Sequence, residues 1–240
     1  MKSYALVFAG GTGQRMCSKS LPKQFLSVQG KPIIIHTLQH FENCKRVDGI
    51  CVVCYEPYIN ELKRLVGEYN LTKIIDIVPG GDCGQQSIFN GLKRLSVCAE
   101  DNDIVLIHDG VRPLIDENLI ERNIDCAEKN GNAVTVAKAI ETVVLSDSDK
   151  IVDIQDRTHC FYAKAPQSFK FGDIFGCHNR AIGENLFGFI DSASMMRHYG
   201  FALHVVECSQ NNIKITTQAD YFMFKGLLDA LEFAQMNVEL

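Results

Sequence analysis

A chain of 240 residues is long enough to bury one substantial core, and residues 1–240 read as a single domain with at most a modest appendage. Hydrophobic residues at 46% and charged residues at 22% exclude disorder as the organising state. A formal net charge of −5 argues against a nucleic-acid partner held by a basic field while leaving room for small anions on a local cationic patch, and no apolar run approaches the roughly 20 residues of a membrane helix.

In chain order, Tyr4–Ala9 is the first apolar run; it is too short for the core of a signal peptide and reads as a β-strand entering a glycine turn. Ile50–Cys54, Ile74–Val78, Ile104–His108 and Ala133–Ala137 are short apolar, mostly β-branched runs that read as further buried strands. Ile33–Phe41, Tyr58–Tyr69, Gln86–Leu95 and Asn118–Lys129 lie between them with apolar spacing near the helical period, as in Leu62, Leu65, Val66 and Tyr69. Strands alternating with helices predict an α/β fold with a mostly parallel sheet covered on both faces. The pattern then changes. Thr142–Leu145 and Ile151–Ile154 alternate around the polar stretch Ser146–Lys150, which predicts a hairpin arm at about 142–161 that breaks the alternation. A late strand at Phe201–Glu207 and a closing helix at Gln218–Phe233 complete the reading.

The ten cysteines are scattered and predict buried, reduced thiols and a reducing, cytoplasmic setting. Cys51 and Cys54 form a CxxC, but residues three apart in a strand point to opposite faces, and no second pair completes a zinc set. His36 and His40 stand four apart on a predicted helix without a third ligand, a weak metal signal.

The turn after the first strand carries Ala9, Gly10, Gly11, Thr12, Gly13, Gln14, Arg15 and Met16. Glycines there let backbone N–H groups close on an anion, at the carboxyl end of a strand where α/β proteins bind ligands. Met16 stands where a dinucleotide fingerprint needs its third glycine, and no P-loop Gly-Lys-Ser/Thr is present. Arg15 and Lys23 soon after the glycines suit a triphosphate, yet a purely structural turn with surface cations fits this segment equally well.

Further motifs are more specific. Gly10–Met16 followed by Leu21-Pro22-Lys23-Gln24-Phe25, then Pro79-Gly80-Gly81-Asp82 with Ser87, His108-Asp109-Gly110-Val111-Arg112-Pro113, Asp156-Arg157, Ala165-Pro166-Gln167-Ser168-Phe169 and Asn212-Ile213-Lys214-Ile215-Thr216 occur in order over nearly the whole chain. Together they resemble the cytidylyltransferases that activate ribitol 5-phosphate and 2-C-methyl-D-erythritol 4-phosphate. The resemblance implies a doubly wound, Rossmann-like nucleotidyltransferase fold, a projecting β-arm, and a homodimer in which each arm closes its neighbour's acceptor site. It implies transfer of a cytidylyl group from CTP to a polyol phosphate with release of pyrophosphate, aided by Mg²⁺ held mainly by the triphosphate and touching Asp109. Catalysis would rest on positioning and electrostatics, because the attacking phosphate oxygen is already anionic.

By the same resemblance Arg15, Lys23 and Lys214 hold the triphosphate and stabilise the transition state. Ala9, Gly10, Gly11, Thr12, Gly13, Gly80, Gly81, Asp82, Ser87 and Asp109 surround the nucleotide. Arg112, Thr142, Arg157 and Asp191 receive the acceptor, with Thr142 and Arg157 serving the neighbouring subunit, and His108 packs beneath the site. Three positions depart from the family pattern: Gly84 in place of Arg, Ala165 in place of Thr, and Ile190 in place of Thr or Ser. They gather at the pocket edges and acceptor side. Val111 in place of the Ala usual in the methylerythritol phosphate enzymes points to ribitol 5-phosphate, with 2-C-methyl-D-erythritol 4-phosphate as the alternative acceptor. A degenerate module that binds CTP without turnover, and a nicotinamide-linked oxidoreductase, are the readings from other classes.

Overall fold

The computed structural model describes residues 1–10 and 21–236. A central sheet takes its strands in the order β11-β7-β10-β6-β1-β4-β5. These are β1 (Ser3–Ala9), β4 (Gly49–Cys54), β5 (Ile74–Pro79), β6 (Ile104–Asp109), β7 (Asn132–Lys138), β10 (Phe161–Lys170) and β11 (Val205–Glu207). β1 pairs in parallel with β4 and β6, β4 with β5, and β7 with β11; β10 runs antiparallel between β6 and β7. Two small ribbons lie outside this sheet: β2 (Ser27–Val28) with β3 (Lys31–Pro32), and β8 (Val143–Asp147) with β9 (Lys150–Gln155).

Helices cover both faces, as continuous apolar strands require. One face carries α1 (Ile33–Asn43), α2 (Ile59–Glu68) and α4 (Glu117–Asn130), packed through Leu38, Leu62, Ile120 and Ile124 on Val7, Val52 and Leu106. The other carries α3 (Gly84–Leu95), α5 (Phe171–Gly183) and α6 (Ser192–His198), packed through Leu92, Ile174 and Met196 on Leu6, Val53 and Val105. Gly91 lets α3 lie close, because a Cβ there would stand 2.8 Å from the Leu6 side chain. The closing helix α7 (Gln218–Met236) packs Phe224 against Ile33, Val111 and Ile215.

Local chemistry sets the helix ends. Asp116 accepts a hydrogen bond from the Leu119 amide at the start of α4, and Gly131 adopts φ +86° at its end. Asp191 opens α6 with a capping box, accepting from the Ser194 amide while Ser194 Oγ accepts from the Asp191 amide.

The α/β reading holds with three differences. β10 was legible only as a motif and is a full strand; Pro166 inside it hid the strand pattern, since proline has no ladder donor. The helices α5 and α6 went unread, one weakened by Gly172 and Gly176 and the other only seven residues long. The late strand is shorter than expected, covering only Val205–Glu207. The arm is present as the β8–β9 hairpin, outside the main sheet. Cys51 and Cys54 point to opposite faces, toward α3 and toward α1 and α2 respectively, and every described cysteine is free. Cys83 and Cys98 are exposed, contrary to the expectation of burial throughout.

Candidate active site

The site lies along the carboxyl ends of β1, β4, β5 and β6, where a doubly wound sheet opens a crevice. One side of it is built largely from backbone. The Gly80 amide donates to the Cys54 carbonyl at 2.8 Å, and the Gly81 amide to Ser87 Oγ at 3.0 Å. A Cβ on Gly80 would lie 3.0 Å from Gly10 Cα, so these two backbones approach at a distance only glycine permits. Ala9, Gly10, Lys23, Gly80, Gly81, Asp82, Ser87 and Asp109 line one cavity of about 590 Å³. Gln24, buried, donates from Nε2 to the Ala9 carbonyl at 2.8 Å and ties the Lys23 turn to the end of β1. Gly11, Thr12, Gly13 and Arg15 lie outside the described residues.

The opposite wall belongs to a second cavity of about 410 Å³, lined among others by Arg112, Ala165, Gln167 and Asp191. The two cavities share Phe8, Cys83, Gly84, Asp109 and Lys214. Gly84 has open space around it, so glycine in place of the expected Arg leaves room at the join.

Asp109, only 7% exposed, is the hub of this seam. Lys214 Nζ contacts its Oδ1 at 2.5 Å and Arg112 Nε donates to Oδ2 at 2.7 Å. Burial by itself pushes the Asp109 carboxyl up, but the ammonium and guanidinium together outweigh it and hold the carboxyl below the usual range. The Asp–Arg pair is therefore a nearly enclosed one, in a setting where paired charges interact far more strongly than on the surface. Residues 212–215 gather the remaining parts. Arg112 donates from Nη1 to the Asn212 carbonyl at 3.0 Å, and Lys23 from Nζ to the Ile215 carbonyl at 2.9 Å. The Ile215 amide donates to the Val111 carbonyl at 2.9 Å, and Asn212 Nδ2 to the Ala165 carbonyl at 2.7 Å. One segment distant in sequence thus brings together Lys23, Arg112 and Lys214.

His108 packs below the seam as expected, fully buried, edge-on to Phe41, with Nε2 3.1 Å from the Arg112 carbonyl. Burial pushes its imidazole down to about 4, so it is neutral at pH 7. His36 and His40 place Nε2 against the carbonyls of Val28 and Pro113, which engages the nitrogens a metal would need. Among the described residues no group of three or more His, Cys, Asp or Glu could hold an ion.

Asp191 faces the acceptor-side cavity, accepting from Gln167 Nε2 at 2.8 Å. Thr142 and Arg157 line neither cavity. Both are exposed on or beside the arm, and Arg157 donates from Nη1 to the Ile140 carbonyl at 3.2 Å.

The wall of this second cavity also carries Gln85, Lys164, Gln167 and His178, polar residues to which the sequence assigns no role. Gln85, buried, donates to the Leu186 carbonyl at 2.7 Å and holds the 186–190 loop over the cavity. His178 is 1% exposed with no hydrogen-bond partner for either ring nitrogen among the described residues. Burial pushes it down to about 4. A polar residue on the inward side of α5 or within the strand β10 is the available signal, but neither element is legible over its length in the sequence.

A glycine-lined cavity and a second, side-chain-lined cavity thus meet at a seam that carries Asp109, Arg112 and Lys214, at the carboxyl ends of a doubly wound sheet. The sequence profile of the 2-C-methyl-D-erythritol 4-phosphate cytidylyltransferase family matches residues 3–229. A ribitol-5-phosphate cytidylyltransferase of Streptococcus agalactiae is 48% identical over 237 residues, covering 98% of this chain and 99% of that one. A 2-C-methyl-D-erythritol 4-phosphate cytidylyltransferase of Clostridium botulinum is 34% identical over 96% of this chain and 99% of that one. The crystal structure of the 4-diphosphocytidyl-2C-methyl-D-erythritol synthase of Anaerococcus prevotii matches with a TM-score of 0.82 at 26% identity, over 95% of this chain and 96% of that one. The chain belongs to the 2-C-methyl-D-erythritol 4-phosphate cytidylyltransferase family, whose members are nucleotidyltransferases.

Proposed function

We propose that this enzyme transfers a cytidylyl group from CTP to D-ribitol 5-phosphate. An oxygen of the acceptor phosphate attacks the α-phosphorus of CTP, the bond from that phosphorus to the β-phosphate oxygen breaks, and pyrophosphate leaves. The observation that carries the reading is the pair of cavities joined at Asp109 and Lys214, which would set the two phosphates on either side of one cationic seam. The choice of acceptor is supported by relatives named for ribitol 5-phosphate at 45–48% identity, although another so named stands at 36%, level with the 34–36% of those named for 2-C-methyl-D-erythritol 4-phosphate.

In this reading Lys23 and Lys214, with Arg15, neutralise the triphosphate and the charge that builds at the α-phosphorus. Gly10, Gly80, Gly81 and Ser87, with Ala9, Gly11, Thr12, Gly13 and Asp82, frame the nucleotide. Arg112 receives the acceptor phosphate and Asp191 accepts from a polyol hydroxyl. Mg²⁺ prefers phosphate and water oxygens with one or two carboxylates, so Asp109 fits as a single protein carboxylate beside an ion brought by the triphosphate. When bound, the ion would offset phosphate charge.

A homodimer completes the acceptor site. The arm is a lone two-stranded ribbon, marginal in water by itself, and it exposes Val144, Leu145, Ile151, Val152 and Ile154 at 45–63%. A second copy laid across that ribbon would cover them and carry its Thr142 and Arg157 toward the acceptor cavity. No described helix is long and apolar enough to cross a membrane, and a cytoplasmic site of action accords with a nucleotide substrate. The test is pyrophosphate release with CTP and Mg²⁺, with ribitol 5-phosphate and 2-C-methyl-D-erythritol 4-phosphate compared at equal concentration. Preferred turnover of the former is expected; preference for the latter, or turnover of neither, would overturn the assignment.

A further inference from the structure

The acceptor-side cavity is electrically lopsided. At the seam it carries Arg112, Lys164 and Lys214 but only one carboxylate, Asp109. That carboxylate is already balanced by two cations, with one oxygen on Lys214 and the other on Arg112. Lys164, on β10, has no share of it. Its side chain is half-buried and makes no hydrogen bond or ion pair with any described residue. Burial first, and then the nearby Arg112 guanidinium, push its ammonium below the usual lysine range. Asp191, the other carboxylate on the wall, is occupied by Gln167 and by capping α6.

An ammonium withdrawn from water beside another cation, with nothing to balance it, is an arrangement a fold normally avoids. It becomes favourable when an anion enters. The ordinary lysine outcome is a head group reaching out into solvent from a buried stem; here the half-buried side chain instead lines the cavity between β10 and the seam. The uncompensated charge matches a phosphate monoester, which carries close to two negative charges at neutral pH.

We propose that Lys164 is a binding residue for the phosphate of the acceptor, acting together with Arg112. The inference rests on the reading of this cavity as the acceptor side of a cytidylyltransferase. It also orients the acceptor, with the phosphate at the Lys164–Arg112 end and the hydroxylated chain toward Asp191, Gln167 and the unpartnered nitrogens of His178. Lys164 serves the reaction by lowering the repulsion between the dianionic acceptor and the triphosphate before the phosphorus is attacked. Because it reads the phosphate alone, its contribution is indifferent to the length of the polyol.

Lys164→Gln and Lys164→Arg test this in the intact chain. With CTP and Mg²⁺, the KM for ribitol 5-phosphate should rise about 10- to 100-fold in Lys164→Gln, the usual range for losing a charge-assisted contact. The KM for CTP should stay within about twofold, and Lys164→Arg should recover most of the loss because the charge is kept. Inorganic phosphate, competing against the acceptor, should weaken by the same factor. An unchanged acceptor KM and unchanged phosphate inhibition in a folded Lys164→Gln enzyme would overturn the inference. Should the wild type turn over no ribitol 5-phosphate, the functional reading fails separately, and calorimetric titration with inorganic phosphate still decides on Lys164. Weaker binding by Lys164→Gln than by the wild type supports it, whereas equal binding, or binding by neither, overturns it.

Discussion

The two halves of the site are made of different material. The half proposed for the nucleotide is drawn together mainly by backbone: Gly10 lies against Gly80, the Gly81 amide donates to the Ser87 hydroxyl, and Gln24 ties the Lys23 turn to the Ala9 carbonyl. The acceptor half is side chain, drawn from β10, α5, α6 and the loop before α6. Backbone cradles tolerate little substitution because a Cβ has nowhere to go, whereas a wall of side chains can be refitted one residue at a time. All three departures from the family pattern, Gly84, Ala165 and Ile190, touch the acceptor-side cavity. In the proposed reading one half holds the shared nucleotide, and the other is where enzymes of one fold can diverge in acceptor.

The sharpest way to separate the halves is Lys23→Ala. Removing a cation that would offset transition-state charge should lower kcat by about 10²–10³-fold. The far-ultraviolet circular dichroism should be unchanged, since Lys23 is not a core residue. Near-normal turnover would remove the electrostatic mechanism from the nucleotide half. Arg157→Ala should act on the other half, raising the acceptor KM by about 10-fold with little change for CTP. Because Arg157 lines neither cavity of its own subunit, the same loss in a protein held monomeric by dilution would break the crossed-arm account.

The smallest effect separates the halves by pH. His178 in the acceptor wall is buried with its imidazole pushed down to about 4, against about 6.5 in the unfolded chain. Between these values the unfolded state binds the extra proton, so stability is full above pH 6.5 and falls as pH drops toward 4. His178→Phe should flatten that part of the profile by a measurable fraction, read as Tm against pH. His108, under the seam, contributes a fall of the same sign. An unchanged slope in His178→Phe would mean that His178 is protonated equally in both states.

Legibility followed the same division. The strands β1, β4, β6 and β7 are readable because strands covered on both faces are unbroken apolar runs; β5 is as apolar, but it lies at the sheet edge and only its Ile77 is buried, contrary to the expectation of a buried strand. The nucleotide half was readable because glycines are placed by steric need. Asp109 and Lys214 were placed in the site only through ordered motifs, since 105 positions separate them and spacing says nothing about such a contact. Lys164 and His178 were not legible. A lysine inside an unrecognised antiparallel strand and a histidine on an unread helix look like solvated or core residues until the chain is folded.

By itself, then, the sequence determined the α/β alternation, the arm, the glycine cradle and the family to which they belong. Each is a local pattern, set by side-chain period, by backbone sterics or by a contiguous motif. The tertiary structure alone decided that Asp109 is shared between Arg112 and Lys214, that residues 212–215 collect three cations, and that Lys164 is left without a counter-ion. Those are balances of charge and burial among residues far apart in the chain, and they exist only once β10 has been inserted beside β6.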